Sequence, residues 1–229
     1  GSIGTLSSDT WLLYGTLNVN VTITSATSGA TFSVTGTGCQ PGTGYAVPKT
    51  LQWTPGSSCS VSFTSPVSGS SGTQFVFTNW SDNSNTSNPR TFSVPASATT
   101  YTANYKTQYQ LTTLVSPAGA GTVTGAGFYD ANTNAAVTAT ATPGYQFTGW
   151  SPALSPNTAS STVAMTGPKT VSANFAIVTG TTVAPATGQY SDPVTLSATI
   201  APAGAVFSGS LQFQIDGVNA GAAIPVSGA

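Results

Sequence analysis

Apolar residues in this chain alternate with polar ones over short stretches and show no helical spacing. Val19, Val21 and Ile23 form one such stretch, and Leu211, Phe213 and Ile215 another. A period of two puts every second side chain on one face, so each stretch predicts a strand with one buried side. The same pattern predicts six strands in the middle of the chain, over 110–115, 121–129, 135–142, 145–150, 162–165 and 170–175. Turn-forming residues separate them: Pro117-Ala118-Gly119, the stretch 130–134, Pro143-Gly144 and Gly167-Pro168-Lys169. The last two of these strands are expected to form a hairpin. The predicted fold class is all-β.

Superimposed on the alternation is an internal repeat. Phe77-Thr78-Asn79-Trp80-Ser81 returns as Phe147-Thr148-Gly149-Trp150-Ser151, and Thr102-Ala103-Asn104-Tyr105 as Ser172-Ala173-Asn174-Phe175. Both matches have an offset of 70, and each Trp precedes its terminal aromatic by 25 residues. Phe77, Trp80 and Tyr105, with Phe147, Trp150 and Phe175, are therefore the candidate core of two related units, the indoles acting as large apolar plugs. Upstream the register drifts: Val61 and Pro66 align with Val137 and Pro143, and 32–36 aligns with 121–125. The first copy then carries two insertions, near 67–72 and near 39–51, both rich in Gly, Pro or Ser.

These motifs resemble a known family. In the second copy the residues are Gly121-Thr122-Val123, Val137-Thr138-Ala139, Thr142-Pro143-Gly144-Tyr145, Phe147-Thr148-Gly149-Trp150, and Lys169 through Phe175. Together they are similar to the divergent internalin-type B-repeat of bacterial surface and secreted proteins, over about 108–176. The first copy resembles a longer variant. After Phe175, Ser191-Asp192-Pro193-Val194-Thr195-Leu196 and Leu211-Gln212-Phe213-Gln214-Ile215-Asp216-Gly217 resemble a bacterial Ig-like repeat domain, shorter here than the roughly 100 residues of a full sandwich. The expected organisation is an extended rod of tandem small β modules: 1–106, 107–176, and an incomplete Ig-like sandwich over 177–229. The resemblance implies stalks, adhesins and filament modules, extracellular or on the bacterial cell surface, and no enzymatic activity.

Composition narrows the chemistry. The 229 residues include 40 Thr and 30 Ser but only 4% charged residues, with neither Glu nor His. Four cations, Lys49, Arg90, Lys106 and Lys169, cannot make a polybasic nucleic-acid surface. Without imidazole there is no Ser-His-Asp or Cys-His catalysis, and two Cys cannot close a four-ligand zinc site. No cofactor is expected, and no apolar run is long enough to insert into a membrane as a helix. The five carboxylates, Asp9, Asp82, Asp130, Asp192 and Asp216, are scattered rather than paired.

Four smaller features remain. Cys39 and Cys59 flank the larger insertion and are expected to pair in an oxidising compartment, the alternative being two buried thiols. Asp130, Asn132 and Asn134 have the spacing that opens a calcium loop, but lack the Gly and the terminal Glu of an EF-hand, so a plain turn is the competing reading. Trp11 and Trp53 lie outside the repeated motif and are candidate contacts for a surface glycan, or else core plugs. The unfinished last module is expected to be completed by chain beyond Ala229, the alternative being a strand recruited to its exposed edges from a neighbouring copy, with the start of the chain from Trp11 through Ile23 as the candidate donor. The competing functional reading is a polysaccharide-binding accessory module of a secreted enzyme.

Overall fold

A computed structural model describes residues 17–152, 154–184, 193–201 and 207–228, and these contain strands and no helix. The chain divides into two compact units, Gly1–Tyr109 and Gln110–Ala229.

Among the described residues the first unit has nine strands: β1 (Val19–Ser25), β2 (Thr31–Thr35), β3 (Gly42–Ala46), β4 (Lys49–Trp53), β5 (Ser58–Phe63), β6 (Val67–Ser68), β7 (Thr73–Trp80), β8 (Arg90–Ser93) and the opening of β9 (Thr99–Ser116). One sheet runs β6-β7-β9-β1-β4, and the second runs β3-β2-β5-β8. Alternation sets what is buried. Val21 and Ile23 of β1, Leu51 and Trp53 of β4, and Cys59, Val61 and Phe63 of β5 all point into one core. Their neighbours Thr22, Thr50 and Ser60 do not.

The second unit starts with the end of β9 and continues through β10 (Gly121–Thr124), β11 (Gly127–Asp130), β12 (Asn134–Ala141), β13 (Tyr145–Ser151), β14 (Ser160–Ala164) and β15 (Lys169–Ile177). Its larger sheet is β13-β15-β9-β11 and its smaller one β10-β12-β14. Leu111, Val137, Trp150, Met165, Val171 and Phe175 fill the space between. The expected stretch 121–129 is two strands, broken at Gly125-Ala126. The expected hairpin of the last two strands is absent. β14 pairs with β12 in the small sheet, whereas β15 pairs with β9 and β13 in the large one. The Gly167-Pro168 turn carries the chain from one sheet to the other. Each of these strands has one buried side, and that pattern is the same whichever neighbour the strand has.

The two units share a common set of strand pairings. Counting the second unit only as far as β15, the first described strand of each, β1 or the end of β9, lies parallel to the last, β9 or β15, with Val21 beside Thr99 and Leu111 beside Lys169. The last strand then pairs antiparallel with the Trp-bearing one. In the small sheets, Gly36 and Gly125 hold φ of +118° and +103°, and a Cβ on either would strike the opposite carbonyl, Ser58 O or Ala136 O. Those contacts place Cys59 where Val137 stands. The sequence alignment of Val61 with Val137 is therefore two residues out. A slip of two keeps every side chain on its own face, so alternation cannot reveal it.

Among the described residues past β15 come three two-stranded ribbons: β16 (Gly180–Val183) with β17 (Ala198–Ala201), β18 (Phe207–Leu211) with β21 (Ile224–Gly228), and β19 (Gln214–Ile215) with β20 (Val218–Asn219). The expected single strand through Leu211, Phe213 and Ile215 is thus interrupted. Asp216-Gly217, with φ of +50° and +79°, makes the tight turn that an Asp-Gly pair favours in a hairpin.

Candidate functional site

The repeated motif forms the same local structure twice. In the first unit a bulge falls at Thr78, between the pairs Phe77–Tyr105 and Asn79–Asn104. In the second it falls at Thr148, between Phe147–Phe175 and Gly149–Asn174. The threonine hydroxyl closes each bulge by donating to the carbonyl of Asn104 (3.1 Å) or Asn174 (3.0 Å). The extra residue turns the following Trp inward. Trp80 is fully buried and Trp150 is 4% exposed. Each indole N–H finds a carbonyl: Trp80 Nε1 donates to Ser87 O at 3.0 Å and Trp150 Nε1 to Thr158 O at 2.8 Å. The flanking rings repeat as well. Phe77 meets Trp80 and Tyr105 edge-on, both at 5.9 Å, and Phe147 meets Trp150 at 5.5 Å and Phe175 at 5.8 Å. Tyr105 adds a polar handle: its hydroxyl donates to Thr64 O at 2.8 Å, and burial pushes its pKa up to about 12.

Cys39 and Cys59 form a disulfide across a separation of 20 residues, both cysteines fully buried. The bridge anchors the insertion that carries β3 to the edge of the small sheet.

Trp53 is fully buried in the first unit's core, and its indole N–H has no partner there. Trp11 lies outside the described residues. The stretch from Asp130 to Asn134 is a turn. Asn132 has φ of +64°, the Thr133 hydroxyl donates to Asp130 O at 2.7 Å, and Asn132 N donates to Met165 O at 2.9 Å. Asn132 and Asn134 point to solvent, and no cluster of three His, Cys, Asp or Glu side chains occurs among the described residues. Of the expected strand donor, Val19–Ile23 is already β1, paired on both sides, and Trp11–Tyr14 lies outside the described residues.

One grouping has no counterpart in the sequence reading. Arg90 makes a two-pronged bond to Asp82, at 2.5 and 2.7 Å. Its guanidinium lies 4.2 Å from the Phe92 ring centre, 5.5 Å from that of Trp80 and 5.6 Å from that of Tyr101. Planar, weakly hydrated guanidinium suits such a seat, which lids the indole from the solvent side. The two residues are eight apart on either side of a loop, a spacing with no periodic signature. The bond to Arg90 holds the Asp82 carboxyl below its ordinary range. A depressed pKa gives stability that is present above the unfolded-state value and lost as pH falls through the folded one. The first unit is therefore expected to weaken below about pH 4, and Asp82→Asn to flatten that part of its stability curve. Thermal unfolding of both proteins between neutral pH and pH 2 checks this.

Residues 111–179 match the family of the divergent InlB B-repeat domain. The B-repeat match begins in the second half of β9 and ends just after β15, so it takes in both sheets of the second unit. It supports the resemblance read from 108–176. No curated protein and no solved structure matches the chain.

Proposed function

We propose that the chain is a non-catalytic structural segment of a bacterial secreted or cell-surface protein, a stalk, adhesin segment or extracellular filament subunit that carries tension. The observation that carries this reading is the parallel pairing of first and last strands in each unit. A pull on the two ends of such a unit acts along that ladder. Its hydrogen bonds are then loaded together instead of being opened one at a time from an end. On this reading residues 1–106 and 107–176 are B-repeat-type modules, and 177–229 is an Ig-like module.

An extracellular setting is supported by the buried disulfide and by the B-repeat match, since the family is typical of surface and secreted proteins. Among the described residues no helix is long and apolar enough to cross a membrane. The competing polysaccharide-binding reading rested on Trp11 and Trp53, and the burial of Trp53 removes its support there. Sedimentation with insoluble polysaccharides separates the two readings. The structural reading expects the full chain to stay in the supernatant. Saturable retention that is lost in Trp11→Ala would favour the binding module instead.

A further inference from the structure

The two insertions of the first unit both end up on sheet edges. β3 pairs with β2, and β6 pairs with β7. The second unit lacks both additions, and its strands equivalent to β2 and β7 are β10 and β13. β13 is short of open edge, because Asn157 Oδ1 accepts from Trp150 N and Tyr145 N donates to Thr142 O. β10 is different. Thr142 N donates to Ala120 O, as Thr64 N does to Thr31 O, so residues 120, 122 and 124 face β12. The backbone N–H and C=O of Gly121 and Val123 therefore point away from the sheet. In the first unit the corresponding groups, of Phe32 and Val34, meet β3. Among the described residues β10 has no neighbour on that side.

We propose that the β10 edge is a self-association site, which a second copy of this chain covers by laying its own β10 alongside, antiparallel. Edges that must stay single are often very short, or carry a Lys, a Pro or a bulge. β10, Gly-Thr-Val-Thr, is short but has no Lys, Pro or bulge. From Pro117 to Gly127 no residue is charged, and none has a side chain longer than Val, Thr or Pro. Two copies can thus approach without repulsion or obstruction. What the first unit accepts in the equivalent place is likewise an uncharged strand, Gly42–Ala46, bulged at Gly44, where φ is +69°. The register follows from which groups face out. Gly121 pairs with Val123 of the other copy and Val123 with its Gly121, each pair exchanging two hydrogen bonds. Thr122 then lies on the two-fold axis opposite its own counterpart, in the closely spaced type of pair. The inference concerns the partner of the second unit and stands apart from the load-bearing reading above.

The test uses the full chain with its native disulfide, which leaves no free cysteine among the described residues. Thr122→Cys is expected to form a disulfide-linked dimer under mild oxidation. Thr140→Cys, exposed on the adjacent strand β12 and one strand further from the axis, is expected to cross-link at least tenfold more slowly. In sedimentation velocity the unmodified chain should show a dimer that grows with concentration, and Thr122→Lys should lower the association constant at least tenfold. Equal cross-linking by the two cysteine variants, a chain that stays monomeric throughout, or a dimer unaffected by Thr122→Lys would each overturn the proposal.

Discussion

Replacing Trp80 or Trp150 with alanine is expected to cost the unit that contains it about 3–5 kcal/mol, the range for a buried aromatic removed from a core. Both indoles are enclosed, both have their N–H satisfied, and both follow a bulge held by a threonine hydroxyl. Truncation therefore opens a cavity and also strands the carbonyl of Ser87 or Thr158. Trp80→Ala additionally removes a ring beneath the Arg90 guanidinium, so the first unit should lose more than the second. Scanning calorimetry is the right measurement, each variant being expected to lower the transition of its own unit. A loss below about 1 kcal/mol for either variant would show that the indole is not a core plug.

The second large effect is expected from the disulfide. Changing Cys39 and Cys59 together to alanine should destabilise the first unit by about 2–5 kcal/mol, since the bridge no longer restricts the unfolded chain. The second unit should melt unchanged. The variant should also loosen β3 and uncover the edge of β2, so its backbone amides over 42–46 should exchange with deuterium faster than those of β5. Exchange no faster than in the parent chain would mean that β3 is held by its ladder to β2 alone.

What the sequence discloses and what it hides follow from the same geometry. The motif around Trp80 and Trp150 is legible because it uses distinctive residues at a fixed spacing, and nothing is inserted between the Trp strand and the last strand that changes that spacing. The disulfide is legible because two cysteines in an otherwise thiol-free chain have only each other. Strand partners are hidden. The pattern of Val163 and Met165 shows a buried face, but the same face fits a hairpin with β15 or a place beside β12. The two-residue slip at Val61 has the same origin, because strands repeat every second residue. The Arg90–Asp82 pair was hidden for a different reason, as its partners meet only after the loop between β7 and β8 has folded. Trp53 shows the remaining ambiguity: an indole outside a motif reads equally as a binding residue or a core residue, and only its burial decides.

The load-bearing account is tested most directly by pulling single molecules of the full chain from its two ends. Parallel first and last strands in each unit predict two separate, abrupt unfolding events, one per unit. The disulfide predicts a further signature. The stretch from Cys39 to Cys59, a sequence separation of 20, is locked until the bridge is cut. Reductant should therefore lengthen one event by about 7 nm, at ~3.5 Å per extended residue, and leave the other unchanged. A smooth, featureless extension at low force, or a reductant that lengthens neither event, would contradict the account.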